Sequence, residues 1–548
     1  MRLTPTLLVA GLLLSCPSAE AQKFYPDDPM QRDDDNVDTP EKPAAIALGD
    51  LFDRVSHIAK DAGSSEIGSE ARNVNTLDEV PDSNWFTNRH GVNRMSLEEL
   101  ARGSNVGGAP NPDETWTVFK GKSQGLTPGF EILDSKGDRY VIKLDPLGVP
   151  ELSTAAEAIA TKIFYAIGYN TPANYIVRFH PDNFAIREGT QVEDSFGDEQ
   201  PLTEWRLRRM MRRVPRAEDG TIRVTASKYI SGTPIGPFRY HETRSDDPND
   251  IISHEDRREL RGLRLFAAWT NHDDTRAQNT QSTWIEEDGK HFVRHYLLDF
   301  GSTFGSGSVD MQFPNLSFTY WLDLGEVKKN TFGFGFRVPE YRHVKWPSYP
   351  EYQSVGRWEG ETFDCLAWRN DHPNPAFIRM TPRDAFWAAK IIMRFTREEL
   401  EAIVETGEYS DPNVAQYFLD VFLQRQAKCG QAGINGTNPL DDFRISGRYL
   451  EFTNVSKAHG FVDSETRYSV SWSLFDNRTG AQEALRPAVI QSETRRELPE
   501  RPRQGADDFL MAEIRSLNED FPQWNDPITV YLRPAGSSYH LAGIDRGR

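Results

Sequence analysis

The chain is poor in the features that mark the commonest metal, redox and nucleotide sites. It holds three cysteines in 548 residues. No C-x-x-C pair and no H-E-x-x-H helix are present, which argues against zinc-finger, thioredoxin-type and zincin chemistry. There is no G-x-G-x-x-G. Gly121-Lys122-Ser123 is not a P-loop, because position 116, where that motif needs its first glycine, is Trp116. Positive charge is also scarce: 63 Lys+Arg against 82 Asp+Glu leave a net charge of −19. That speaks against nonspecific nucleic-acid binding, which depends on a basic surface. Beyond the first residues no apolar run approaches the about 20 residues that span a bilayer, so no transmembrane segment is expected in the mature chain. No internal repeat is found.

What is present begins with export. Arg2, an apolar run from Leu7 to Leu14 and Ala19-Glu20-Ala21 form the three parts of a secretory signal peptide over residues 1–21. The expected location is the periplasm or the extracellular space. Leu13-Leu14-Ser15-Cys16 is a loose lipobox, so lipid anchoring at Cys16 is a second reading, weakened by Pro17 and the bulky Leu14. Only Cys365 and Cys429 survive cleavage. In an oxidising compartment they pair, or they remain two buried thiols; the sequence leaves both open. A hydrophobic content of 38% with 31 Phe predicts packed cores rather than disorder.

Residues 22–45, rich in Asp and Pro, read as an exposed, disordered acidic leader, and 46–111 as a helical N-terminal extension whose helical patches are joined by a polar, aromatic-bearing stretch from Asn73 to Trp85-Phe86. Ser96-Leu97-Glu98-Glu99 is a capping box that opens a short helix. Strand patterns follow at Thr115–Lys120, Phe130–Leu133 and Tyr140–Leu144, then an amphipathic helix at Thr154–Gly168 closed by its terminal glycine. Tyr175–Phe179 and Ile222–Ile230 are further strands, with a basic helix, Glu204–Arg213, between them. Residues 254–271 are helical, and 282–299 form a hairpin turning at Glu287-Asp288-Gly289. Thr381 to Cys429 is helical, with starts at Thr381-Pro382 and Thr396. From about Asp442 the pattern alternates as β, most clearly at Tyr468–Phe475. Ile528–Leu532 and Ser538–Ala542 read as a closing hairpin. The module over 440–548 reads as an accessory sandwich.

One constellation carries chemistry. His272-Asp273-Asp274-Thr275-Arg276-Ala277-Gln278-Asn279 is H-x-D-x4-N, and after the hairpin comes Asp299-Phe300-Gly301. Phosphoryl transfer uses these parts at this spacing: an Asp that takes the nucleophile's proton, and an Asn and a second Asp that hold metal. Upstream, Lys143 ends a strand and Glu157 lies on the next helix. Taken singly each residue has a bland reading. Asp-Phe-Gly is a common turn, a strand-end Lys is usually solvated, and a helix Glu is usually exposed.

In this order of elements the chain resembles the atypical protein-kinase-like superfamily, which holds the HipA toxin kinases, CotH spore-coat kinases and phosphatidylinositol kinases. The resemblance covers roughly residues 112–429, judged by element order. It implies an α+β fold with a bilobal kinase-like core, its N-lobe at 112–240 and its C-lobe at 241–430. It also implies an ATP- and Mg²⁺- or Mn²⁺-dependent phosphotransferase with a protein or small-molecule acceptor. By position, Lys143 would bind phosphates, Glu157 would orient it, and Asn279 and Asp299 would bind metal; Asp274 would be the base, favoured over the alternative Asp273 by its spacing to Asn279. Gly121, Gly125 and Gly129 would space a loop over the phosphates. The chain departs from the pattern at Asp273, where kinases carry Arg, and offers only Val338-Pro339-Glu340 for A-P-E. A catalytically inactive scaffold on the same frame, or another group transfer such as adenylylation, is the alternative implication.

Three other features have two readings. The run Arg206 to Arg216 is a solvated helix face or a docking patch for an acidic or phosphorylated substrate. His180, His241 and His254 are scattered and suggest no metal cluster. Phe266 and Trp269 belong to the core.

Overall fold

The computed structural model describes residues 22–28, 36–42, 69–121, 129–193, 198–320, 338–347, 351–500, 505–536 and 538–547. The expected signal peptide, Cys16 and Gly125 lie outside the described residues.

The fold mixes helices with several sheets. The capping box at Ser96 opens α1 (Leu97–Arg102) as expected. Three strands then meander: β1 (Trp116–Gly121), β2 (Gly129–Leu133) and β3 (Arg139–Leu144). They alternate buried and more exposed positions, so Trp116, Val118, Phe130, Ile132, Tyr140 and Ile142 share one core face. The chain then enters α2 (Leu152–Ile167), an alanine-rich helix buried along almost its whole length. Asp145 caps it from outside: its carboxylate accepts from the amides of Ser153 at 3.0 Å and Thr154 at 2.9 Å. That cap ties the end of β3 to the start of α2, and so Lys143 to Glu157.

β4 (Asn174–Phe179), β5 (Phe184–Ile186), β6 (Gln191–Glu193) and β7 (Glu199–Pro201) follow, then α3 (Glu204–Met211) and β8 (Ile222–Lys228). The first sheet has the order β4-β8-β3-β2-β1-β5. All its pairs are antiparallel except β1 with β5. The basic helix α3 turns Leu207 and Met211 into the sheet's core and leaves Arg208, Arg209, Arg212 and Arg213 exposed, as both readings of the basic run require.

β9 (Thr233–Gly236) leads to α4 (Arg258–Thr270), preceded by a 3-10 turn, His254–Asp256. The single helix expected over 254–271 is divided there. Phe266 and Trp269 are fully buried, as expected. The carbonyl end of α4 is met by buried Arg425, which donates to Ala268 O at 2.6 Å and Trp269 O at 3.1 Å. The expected hairpin is β10 (Thr280–Glu287) with β11 (Lys290–Leu297), paired in unbroken register. Its two-residue turn has positive φ at Asp288 (52°) and Gly289 (75°), the backbone that matches strand twist.

Helices α5 (Pro375–Ile378), α6 (Pro382–Ile392), α7 (Arg397–Glu405) and α8 (Pro412–Asn435) pack with α2 and α4 in one core. Capping boxes start α6 at Thr381 and α7 at Thr396. Cys365 and Cys429 form a disulfide with Cα atoms 5.2 Å apart, which decides between the two readings. Among the described residues no helix is long and apolar enough to cross a membrane.

From Leu440 the chain is mostly strand. β12 (Leu440–Ser446), β13 (Tyr449–Asn454), β14 (Arg467–Asp476), β15 (Gln482–Gln491), β16 (Arg495–Glu497), β17 (Asp508–Leu517), β18 (Ile528–Ala535) and β19 (Ser538–Arg546) make two antiparallel sheets. Their orders are β12-β13-β16 and β15-β14-β17-β18-β19. Leu450 and Phe452 of the first share a core with Val470, Leu510 and Val530 of the second.

The acidic leader departs from expectation. Phe24 is buried against Phe475, Phe509 and Tyr531, and Asn477 holds its backbone from both amide atoms. Val37 is buried on the β10–β11 hairpin, its amide donating to His291 O at 3.0 Å. Two apolar side chains in a polar stretch suffice to anchor it at two points, which composition alone does not reveal.

Asp78 joins four parts of the chain. It pairs with Arg258 of α4 at 2.8 Å, Arg383 of α6 at 3.0 Å and Arg546 of β19 at 2.9 Å. Burial alone would raise its carboxyl, but Arg258, Arg546 and Arg383 hold it well below the usual carboxylate range. Asp78→Ala is expected to cost about 3–5 kcal/mol in urea unfolding, because three arginines lose a buried partner. A depressed carboxyl adds stability above its unfolded pKa of about 4 and loses it as pH falls toward its folded value. The wild type is therefore expected to lose more stability than the variant on acidification below about pH 4.

Candidate functional site

Lys143 is the centre of the site. β3 alternates, so Tyr140 and Ile142 face one core while Lys143 faces α2. Its ammonium lies 2.9 Å from Glu157 Oε1 and 2.9 Å from Asp299 Oδ1. Lys143 is 7% exposed and Glu157 1%. Burial pulls the lysine's pKa down, but the Asp299 and Glu157 carboxylates more than reverse this and raise it. The ammonium is charged at any ordinary pH. Glu157 is fixed from its other side by Asn174, whose amide donates to the same Oε1 at 3.0 Å. Glu157 Oε2 is buried without a hydrogen-bond partner among the described residues.

Asp299 follows β11 with φ of 55°, a left-handed backbone that a non-glycine residue adopts at some expense. Gly301 then passes close to the helix: a Cβ there would lie 3.0 Å from Ser308 Oγ and 3.5 Å from Glu157 Oε2. Between them Phe300 is fully buried. Its ring centroid is 5.0 Å from that of Phe164 on α2 and 5.4 Å from that of His272. This aromatic cluster anchors α2, the Asp299 turn and the loop after α4 to one another.

That loop carries the remaining candidates. Burial holds His272 down to about 4, so its imidazole is neutral. Asp273 points inward. Burial, then the charges of Asp371 and Asp274, push its carboxyl well above the usual range. Asp274 is pushed up to about 6 by burial and Asp371, against the opposing charge of Arg276. The Arg276 guanidinium lies 2.5 Å from Asp274 Oδ1. Asn279 donates its side-chain amide to Asp274 O at 2.8 Å, and its own carbonyl accepts from Leu298 N at 2.8 Å. The loop and the Asp299 turn are thus adjacent ends of the same hairpin.

The structure brings Lys143, Glu157 and Asp299 into contact, and Asp274 with Asn279 beside them. Gly129 is the register partner of Lys143. Gly121 has a packing reason to be glycine: a Cβ there would meet Val192 Cβ at 2.5 Å. Residues not anticipated are Asn174, Arg276 and Asp371. Asp371 comes from about a hundred positions away, and no local signal announces it.

The donor set suits a hard cation. Asn279 directs its side-chain NH2 toward the Asp274 carbonyl, so its Oδ1 is the atom that could meet a cation, and Asp299 contributes a carboxylate. Mg²⁺ and Mn²⁺ favour such oxygen ligands. Among the described residues no group of three or more His, Cys, Asp or Glu is disposed to hold a metal. The protein ligands would be few, as for an ion that keeps waters and shares phosphate oxygens.

No family model and no curated protein matches the chain. Solved structures are similar to it, among them the following three. The Helicobacter pylori proinflammatory kinase CtkA is 10% identical over 57% of this chain and 94% of that chain, with a TM-score of 0.29. The golgi casein kinase is 10% identical over 75% of this chain and 94% of that chain, with a TM-score of 0.30. The golgi casein kinase with Mn/ADP bound gives the same identity and coverage, with a TM-score of 0.29. At such identities and TM-scores these likenesses decide nothing about fold or activity, which stand on the geometry of the chain itself.

Phe300→Ala is expected to cost about 3–5 kcal/mol in denaturant unfolding, as for a large aromatic removed from a close-packed cluster. Phe300→Leu, which fills most of the volume, should lose about 1.5 kcal/mol or less.

Proposed function

We propose that the protein is an exported, kinase-like phosphotransferase that moves a phosphoryl group from a nucleotide to a hydroxyl acceptor with Mg²⁺ or Mn²⁺. The observation that carries this is the contact of one buried lysine with two carboxylates from a helix and a distant turn. A stray strand-end lysine has no reason to be buried, and burying it requires both partners. In this reading Lys143 neutralises phosphate charge and Glu157 holds it in place. Asn279 and Asp299 would hold the metal, which supplies charge neutralisation on the phosphates. Asp274 accepts the proton of the attacking hydroxyl as its oxygen bonds to the γ-phosphorus and the bond to the bridging oxygen breaks. An Asp274 carboxyl raised to about 6 is a better base than an ordinary aspartate and is still ionised at neutral pH.

Export rests on the first 21 residues and is supported by the buried Cys365–Cys429 disulfide, a bond of oxidising compartments. The donor must then be met outside the cytoplasm.

One observation favours a second reading, a non-catalytic binding protein on a kinase-like frame. Lys143 and its two carboxylates satisfy one another, and a structural ion-pair network does the same. The test is turnover. The mature protein is incubated with γ-labelled ATP or GTP and Mg²⁺ or Mn²⁺, and label is followed into water, protein and added acceptors. Release or transfer is expected, lowered about 10²–10⁴-fold in Asp274→Asn. A folded wild type that moves no label with either nucleotide and either metal contradicts the enzyme and leaves the binding protein.

A further inference from the structure

The loop that carries Asp274 has little regular structure of its own; Gln312, Ser317 and Arg425 hold its first residue, Asn271, and one further distant segment holds the residues on either side of Asp274. That segment starts at Cys365, joined by its disulfide to Cys429 of α8. Trp368 Nε1 donates to Asn271 Oδ1 at 2.9 Å. Asn370 donates its side-chain amide to Thr275 Oγ1 at 3.1 Å. The amide of Asp371 donates to Asp273 O at 2.9 Å. Asn374 donates its side-chain amide to Thr275 O at 3.1 Å. Thr275 immediately follows Asp274. Thr275, Asn370 and Asn374 are each 3% exposed, so water cannot replace these bonds if they are lost.

Asn374 has a second task. Its Oδ1 caps α5, accepting from Ala376 N at 3.0 Å and Phe377 N at 3.4 Å. The side chain therefore has one end on a helix and the other on the loop. Its carbonyl end serves folding, and its amide end serves only the loop.

We infer that Cys365–Asn374 is a disulfide-tethered clamp on the loop bearing Asp274, with Asn370 and Asn374 as positioning residues. The inference rests on the phosphotransferase reading. A base held within a fraction of an ångström of its hydroxyl needs a neighbouring element that does not move, and the clamp provides it.

The two ends of Asn374 can be separated. Asn374→Ser keeps an oxygen that can cap α5 and removes the donor to Thr275 O without adding charge. Its KM for nucleotide should match the wild type and its melting temperature should fall by only a few degrees, while kcat falls about 10–100-fold. Asn370 gives an independent check. Asn370→Ala removes the bond to the Thr275 hydroxyl and should lower kcat, Thr275→Val should lower it by a similar factor, and the double variant should be no worse than either. Wild-type kcat in Asn374→Ser and Asn370→Ala, with fold retained, overturns the inference. So does a fall of kcat that comes with a matching loss of nucleotide affinity and a large loss of melting temperature, which marks a structural role only. A wild type without turnover overturns the phosphotransferase reading itself, and this inference with it. An active wild type whose variants keep their kcat overturns the inference alone.

Discussion

A lysine ammonium buried to 7% exposure cannot stand alone. Taking it out of water is strongly unfavourable unless opposite charge is supplied at contact distance. That constraint organises the site. Glu157 must be on the buried face of α2 and Asp299 must turn back toward β3, and at Gly301 the turn passes the helix with little room for a side chain, a Cβ lying 3.3 Å from Ser153 Oγ and 3.5 Å from Glu157 Oε2. Asp145 fixes α2 to the end of β3, and the Phe164–Phe300–His272 cluster holds the turn and the loop in place. Each of these serves to keep two carboxylates 2.9 Å from one nitrogen.

The neighbouring loop is governed by the opposite problem, too many carboxylates. Asp273, Asp274 and Asp371 stand close together, and low dielectric makes their repulsion large. The molecule resolves it unevenly. Asp273 is deeply buried and its carboxyl is pushed well above the usual range, while Asp274 has Arg276 beside it and is pushed up only to about 6. Such a division, with two neighbouring acids pushed to different degrees, is how environment assigns different roles to like groups.

Much of this was legible in the sequence because it is local. The strands around Lys143, the long helix after it, the hairpin and its Asp-Gly turn, and the capping boxes at Ser96, Thr381 and Thr396 each follow from patterns a few residues wide. The spacing of His272, Asp274, Asn279 and Asp299 put the candidate residues in order. What could not be read was pairing at a distance. Nothing near Asp371 points to Asp274, and nothing near Asn174 points to Glu157. The pairing of Cys365 with Cys429 depends on how α8 lies, and the docking of Phe24 depends on strands more than four hundred residues later. Gly121 shows a subtler limit. It reads as part of a glycine-spaced loop, yet its contact with Val192 gives it a packing reason that sequence does not display.

The account stands on Lys143 and Asp299 forming a site for a metal-bound nucleotide rather than an ion pair that only holds the fold. The direct measurement is the stability of the mature protein titrated with ATP or GTP, with and without Mg²⁺ or Mn²⁺, alongside Asp299→Asn. The account predicts a metal-dependent gain of about 2.7 kcal/mol at a hundred times the dissociation constant, absent in Asp299→Asn. No gain with any nucleotide and metal, in a well-folded wild type, would contradict it.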